Sequence, residues 1–286
     1  MGLSTVDVLY GVADFPFPNS KVVANSQNVM AGGPAANASI AFAHLAGSAT
    51  LVTKAGRHAV TSVIREDLHR HGVQLIDLDP AFDGVPIISS ICVDRAGDRN
   101  VVSTGGTSPI PLPVLADQEV LASAAILMVD GHYMPACRAW ATAAHALGKA
   151  VVLDGGSWKD GTAELLESVH TAICSADFLP PGCSTAADVF GYLQCCGVAE
   201  VAITNGAEPI RFLSNGTSGI VQVPRIEAVD TMGAGDIFHG AFGYYVAAGL
   251  GFVEALGEAA RIAAESCRFH GTRTWMKLPV SPVATR

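Results

Sequence analysis

Lysine and arginine are scarce in this chain, 17 among 286 residues against 26 aspartates and glutamates, for a net charge of −9. They gather nowhere into a block, which excludes the electrostatic footprint of a nucleic-acid-binding protein or of one held to an anionic membrane surface. Long hydrophobic runs are also missing. The longest, such as Val120 to Val129, are far too short to span a bilayer. The N-terminus has no basic segment followed by an apolar one, so no secretory signal is expected. The seven cysteines are odd in number and include no C-x-x-C. The expectation is reduced thiols in a cytoplasmic protein, packed as small hydrophobes. There is no G-x-x-x-x-G-K-[ST] loop and no dinucleotide fingerprint after a strand, so a Walker-type nucleotide fold is excluded.

Half of the residues are hydrophobic, which allows a sizeable buried core, and thirty glycines suit tight helix–sheet packing with many turns. From Thr50 onward, strand patterns (51–55, 74–79, 126–130, 150–154, 172–174, 201–204) alternate with helical ones (59–71, 135–147, 160–169, 184–196, 252–269). This order predicts an α/β fold whose mostly parallel sheet is covered by helices on both faces, with ligands at the carboxyl ends of the strands. Asp130-Gly131-His132 and Asp154-Gly155-Gly156 fall at such ends, where a structural use in turns is the simpler account. Extended segments within 12–31, together with strands 85–93 and 100–104 joined by the Asp94–Asp98 turn, predict a small antiparallel sheet off the main body. A helix opens at Gly32-Gly33-Pro34, runs to about Leu45 and stops at Gly47. Proline suits its first turn, the glycines permit close approach of a ligand, and Asn37 offers both a donor and an acceptor. His69-Arg70-His71 reads as an exposed helix end, since residues two apart do not share a helix face.

The most informative stretch is Pro224 to Leu250. It reads as a short strand, a glycine turn and a helix with apolar residues at Ile237, Phe238, Ala241, Phe242, Tyr245 and Val246. The turn Thr231-Met232-Gly233-Ala234-Gly235-Asp236 leaves the first N–H groups of the helix bare, an arrangement that favours an anion such as phosphate. Asp236 borders that place. The helix field is expected to hold its carboxylate ionised, which suits removal of a proton from a hydroxyl that attacks phosphorus. His239, one turn on, reads as packing or support.

Asp230-Thr231-x-Gly233-Ala234-Gly235-Asp236, followed by an aromatic residue and Gly240, resembles the C-terminal signature of the ribokinase-like (PfkB) carbohydrate kinases, and the Gly32-Gly33…Asn37 segment resembles their N-terminal one. The resemblance implies a single ribokinase-like domain over 1–286: a three-layer sandwich carrying a small antiparallel β lid formed by about 8–31 and 84–106. It implies an ATP-dependent phosphotransferase acting on a sugar-like alcohol, with Mg2+ on the ATP phosphates. Asp236 would be the base, and the amides of Gly233, Ala234 and Gly235 the anion hole. Asp7, Gly32, Gly33 and Asn37 would hold the substrate. Arg99 on the lid hairpin is a further candidate, and a solvated edge-strand arginine fits it equally well. Thr204 and Gly206 would lie at the nucleotide phosphates, and the helix 252–269 would close the adenine side, with Gly271 in the loop that follows as a further cofactor-binding candidate. Asp230 would serve a monovalent cation such as K+, as in some relatives. The resemblance also implies a strand ahead of Gly2, where only Met1 stands, so that strand is expected to be short or to lie outside this chain. Relatives often pair through their lids, and Val22, Val23, Ile87 and Ile88 permit a homodimer of that kind.

One departure concerns the metal. The family usually has Asn-x-x-Glu at a late strand end, where this chain has Ser175-Ala176-Asp177-Phe178; if Phe178 stands for the glutamate, Asp177 is the compensating carboxylate. The run from Asp236 to Ala241 resembles a branch that includes kinases of fructose-like and sulfonated sugars. Two rivals remain at this point. A nucleoside kinase would use Tyr10, Phe15 and Phe17 as an apolar wall, and a catalytically weak regulatory relative is suggested by the missing Asn-x-x-Glu.

Overall fold

The computed structural model describes residues 1–46, 48–105 and 109–277. The expected helix stop at Gly47 and the expected lid boundary at Gly106 lie outside the described residues. The first half runs β1 (Thr5–Gly11), β2 (Ser26–Gly32), α1 (Pro34–Ala46), β3 (Ala49–Thr53), α2 (Ser62–Arg70), β4 (Val73–Asp77), β5 (Ile88–Val93), β6 (Arg99–Ser103) and α3 (Gln118–Ser123). The second half runs β7 (Ile126–Val129), α4 (Met134–Ala146), β8 (Ala150–Gly155), α5 (Thr162–Leu166), β9 (Thr171–Ser175), α6 (Ala186–Cys195), β10 (Glu200–Asn205), β11 (Glu208–Ser214), β12 (Thr217–Val221), α7 (Ala234–Ala247) and α8 (Phe252–Ser266).

The main sheet has the order β12-β11-β10-β9-β8-β7. Strands β7 to β10 are parallel, and β11 and β12 add an antiparallel edge. Successive side chains point to opposite faces of a strand. Along β8, Val151 and Leu153 therefore enter the core beneath α4 to α6, while Val152 enters the core beneath α7 and α8. Both faces of the strand are apolar because both are covered. Each such side chain contributes roughly 1.5–3 kcal/mol of burial. No helix among the described residues is long and apolar enough to cross a membrane.

Beyond β7, the pair β3-β4 forms a separate parallel ribbon. Residues 1–3 bridge the gap without forming a strand: the Met1 ammonium donates to Met128 O at 2.6 Å and Gly2 N to Val52 O at 3.0 Å. A cavity of about 400 Å³ lined by Ala38, Phe42, Val52, Met128 and Trp140 lies alongside. The chain then leaves the body as β1 and enters a separate four-stranded sheet of order β2-β1-β5-β6, the sheet expected to be the lid. This sheet is not wholly antiparallel as expected. Its central pair β1–β5 is parallel, with Asp7 opposite Ser89.

Two local expectations are corrected, and one hairpin is added. Residues 222–228, expected to include a short strand ahead of the glycine turn, form none; Pro224 lacks the N–H that a ladder needs. The helix expected over 160–169 shortens to α5. The hairpin β11–β12 was not anticipated, although its Asn215-Gly216 turn, with φ of 48° and 80°, is the left-handed pair that a two-residue hairpin favours.

What positions the site is the crossing of α1 and α7. A Cβ on Gly240 would lie 2.2 Å from the Ala38 carbonyl oxygen, so the two helices meet at a distance only glycine allows. The apolar stripe of α7, with Ile237, Phe238, Ala241, Phe242 and Tyr245 buried, orients the helix so that its first turn faces the N-terminus of α1.

Candidate active site

The turn before α7 is held by Asp230. Its Oδ1 accepts from Met232 N at 2.9 Å and its Oδ2 from Gly271 N at 2.8 Å, in the loop after α8. Gly233 then caps α7 at φ +68°, where a Cβ would stand 2.6 Å from the Thr272 methyl. The N–H groups of Gly233, Gly235 and Asp236 donate to no group among the described residues, whereas Ala234 N reaches back to Thr231 O at 3.3 Å. Three bare donors at a helix N-terminus make an anion-binding concavity. Of the three amides expected to form it, that of Ala234 is the one already engaged.

Asp236 and Asn37 meet here: Asn37 Nδ2 donates to Asp236 Oδ2 at 2.7 Å. Burial, and then the neighbouring Asp154 carboxylate, push the pKa of Asp236 up to about 7, although the Asn37 bond and the His239 ring oppose this. The expectation that the helix field holds this carboxylate firmly ionised is therefore corrected. Desolvation outweighs the dipole, and the group is poised near neutrality, where a general base works best.

The substrate-side candidates assemble around the same helix crossing. Asp7 is buried on β1 against Gly32, where a Cβ would fall 2.0 Å from its carboxylate carbon, and it accepts from Thr5 Oγ1 at 2.6 Å. Burial raises its pKa, opposed by the Thr5 bond and the Arg273 charge. Gly33 sits at φ +89° with Leu3 O at 2.7 Å from an added Cβ, so both glycines are there for backbone proximity. Arg99, at the exposed start of β6, makes no side-chain hydrogen bond or ion pair among the described residues and is not brought into this cluster.

Thr204, the penultimate residue of β10, pairs with Ser175, and its Oγ1 donates to Cys174 O at 3.3 Å. Gly206, at φ +55°, makes the exposed turn into β11. Gly271 lies in the loop after α8, where its amide donates to Asp230 Oδ2 and supports the turn before α7. Phe178 is buried against Trp158 at a ring-centroid distance of 5.5 Å, so it substitutes for no glutamate, while Asp177 is exposed beside Ser175.

Sequence reasoning missed Arg273. Its Nη1 donates to Asn37 Oδ1 at 2.9 Å and to Thr272 Oγ1 at 2.8 Å, and its Nη2 donates to Ala31 O at 2.8 Å and Asp67 Oδ2 at 3.2 Å. One guanidinium thus orients the Asn37 amide that faces Asp236 and ties α1 to α2. No periodicity or spacing marks an arginine in a loop for this role. Asp154 and Asp130, read as turn residues, both lie close enough to raise the pKa of Asp236.

Gly233→Ala is expected to lower turnover about 100-fold, the usual loss for one misplaced anion-hole donor. It should also cost about 1–3 kcal/mol through its strained φ. Gly235→Ala meets nothing within 4 Å of its new Cβ and should leave the melting temperature nearly unchanged. Parallel kcat and thermal-melt measurements on the two variants check both.

The solved ribokinases of Thermotoga maritima (TM-score 0.79, 20% identical, 96% of this chain and 93% of that one) and Arabidopsis thaliana in complex with ribose and ATP (TM-score 0.76, 20% identical, 97% of each chain) share the fold. A ribokinase of Staphylococcus aureus is 26% identical over 85% of this chain and 83% of its own length. Residues 1–279 match the family described as pfkB family carbohydrate kinase, and the chain belongs to that family.

Proposed function

We propose that this protein transfers the γ-phosphoryl group of ATP to a hydroxyl of a sugar or sugar-like alcohol. The observation that carries the reading is Asp236, raised to about 7 and fixed by Asn37, beside the bare amides of Gly233 and Gly235. The alcohol lies between body and lid, held by Asp7, Asn37 and the backbone at Gly32 and Gly33. Its O–H proton passes to the Asp236 carboxylate as the oxygen bonds to phosphorus. The bond from phosphorus to the β–γ bridging oxygen breaks, and ADP leaves with that electron pair. Charge on the moving group is met by the amides of Gly233 and Gly235, which need no reorganisation. ATP extends from there toward Thr204 and Gly206.

Magnesium supplies charge neutralisation on the phosphates when bound. Such an ion keeps most of its waters and needs only one or two protein carboxylates. The exposed carboxylate of Asp177 fits that need, and buried Phe178 does not. Asp230 spends one lone pair of each oxygen on a backbone amide, which leaves others for a potassium ion. A homodimer through the lid would use Val23 and the edge strand β6, where Val101 and Val102 are exposed on its two faces.

The test is ATP-dependent ADP release with Mg2+ and K+ over ketoses, aldoses, sugar acids, sulfonated sugars and nucleosides. Turnover on a sugar class that disappears in Asp236→Asn supports the reading. Turnover on nucleosides alone replaces the substrate class, and ATP binding without turnover on any alcohol overturns the reading in favour of a regulatory relative.

A further inference from the structure

Alternation of side chains along each strand gives the sheet β2-β1-β5-β6 two unlike faces. Register sets Asp7 opposite Ser89 and Ser89 opposite Ser103 on one of them. Ser89 Oγ lies 3.3 Å from Ser103 Oγ. Burial raises the pKa of Asp7, and the Ser89 hydroxyl is among the hydrogen-bonding groups that oppose the rise. A carboxylate and two hydroxyls thus form a polar row across three strands, about 10 Å long at the usual strand spacing. Exposure rises along it from buried Asp7 through half-buried Ser89 to exposed Ser103. The next row on the same face is apolar. Leu9 and Ile91 pair there, and with Val93 they are buried against Met232 of the turn before α7. This face therefore looks onto the anion-hole turn. An anionic substituent beside Asp7 would meet a carboxylate in the polar row and no cation. Arg273 spends its guanidinium on Asn37, Thr272, Ala31 and Asp67. Arg99 shares the face but stands at the other end of β6 from Ser103, about 13 Å along the strand. The aromatic wall a nucleobase needs is not on this face either. Tyr10 lies three residues past Asp7 and projects from the opposite face, and Phe15 and Phe17 lie off the sheet.

We propose that Ser89 is a specificity-determining residue: with Asp7 it holds two neighbouring hydroxyls of the substrate, and the row they form selects uncharged sugars over sugar acids, sulfonated sugars and nucleosides. The inference deepens the kinase reading and rests on Asp7 being a substrate contact. A carboxylate only accepts, so Asp7 takes one substrate O–H as a donor. A serine hydroxyl donates and accepts, so Ser89 serves the hydroxyl beside it in either sense. This contact is made in the ground state and the transition state alike, so its loss falls on KM and spares kcat.

The test is steady-state kinetics on D-ribose, D-fructose, D-gluconate, sulfoquinovose and adenosine with the wild type, Ser89→Ala and Ser89→Thr. Ser90→Ala, on the opposite and exposed face, is the control. A neutral sugar is expected to be the best substrate. On it Ser89→Ala should raise KM about 3- to 10-fold, the worth of one neutral hydrogen bond, with kcat nearly unchanged. Ser89→Thr keeps the hydroxyl and should stay near the wild-type KM, as should Ser90→Ala. A residue that only supports the sheet would shift KM on every analogue alike. One that holds a hydroxyl loses its effect on the monodeoxy sugar lacking that hydroxyl, where Ser89→Ala and the wild type should share one KM. Preference for the acid, the sulfonate or adenosine, an unmoved KM in Ser89→Ala, or a shift that persists on every monodeoxy analogue overturns the proposal. The two readings fail separately. If no compound turns over, the kinase assignment falls, and calorimetric binding of the same sugars without ATP still decides the role of Ser89. Weaker binding of a neutral sugar to Ser89→Ala then upholds the contact, and equal or absent binding overturns it.

Discussion

Asp236→Asn is expected to lower kcat by about 10²- to 10⁴-fold, the range a positioned general base contributes, while the KM for the alcohol changes only a few-fold. The substitution keeps an oxygen that can accept from Asn37 Nδ2, so the 2.7 Å bond survives and the fold with it. It should also stabilise the protein, and the sign follows from the pKa. The carboxyl titrates near 7 in the folded state and near ~4 in the unfolded chain, so the folded state holds its proton more tightly. Ionising it therefore costs stability, increasingly as pH rises from ~4 and in full above about 7. The gain on replacement is at most about 4 kcal/mol at pH 8 and vanishes toward pH 4. In the wild type, kcat should climb with pH through the same region near 7, as the base loses its proton. Melting curves at pH 5 and pH 8, beside single-turnover rates, check both halves. An inactive variant that is also less stable at pH 8 would contradict the burial argument.

Arg273→Met is expected to be the most destabilising single change at the site, by about 3–5 kcal/mol. At this chain length that corresponds to a fall in melting temperature on the order of 10 °C. The methionine fills the stem but leaves Asn37 Oδ1, Ala31 O and the buried Asp67 carboxylate short of the donors they have now. Burial works against ionisation of Asp67. The His71 hydrogen bond, the Arg273 charge and the Ala31 N–H outweigh it and hold its pKa below the usual carboxylate range. Stability from that depressed pKa is present above the unfolded value near ~4 and is lost as pH falls through the lower folded one. The variant should therefore lose part of the acid-side slope of its stability curve as well as its midpoint. Activity should fall too, because the Asn37 amide is no longer fixed and can turn away from Asp236. Arg273→Lys, with a point charge in place of a fork, restores the charge near Asp67 but cannot reach four acceptors on different elements. Urea melts between pH 4 and pH 8 on both variants, read beside kcat, separate loss of charge from loss of geometry.

Much of the fold could be read from local chemistry. Strands β7 to β10 are short apolar runs bounded by turn residues, and their alternation with helices has few solutions other than a covered parallel sheet. The glycine turn and Asp236 were legible because a φ of +68° and a side-chain-free approach leave glycine as the fitting residue at 233. Gly32 was legible for its side-chain-free approach to Asp7, and Gly33 for its φ of +89° as well. The parallel pairing of β1 with β5 was not, because a strand's own sequence does not say which edge it will join. The spacing from Ser175 sets Phe178 at the place of a glutamate, and only its burial against Trp158 shows a core residue.

The sequence by itself determined the covered sheet, the bare helix N-terminus and the identity of the carboxylate beside it, since each follows from residue type and near-neighbour spacing. Tertiary structure alone decided how that carboxylate behaves. Asn37 lies 199 residues away from Asp236 and Arg273 lies 236 from Asn37, and no local pattern encodes such pairings. The helix field favours an ionised Asp236, but burial beside Asp154 moves it to about 7. A pKa depends on water excluded and charges gathered by the whole fold, and those exist only once the chain has closed around the site.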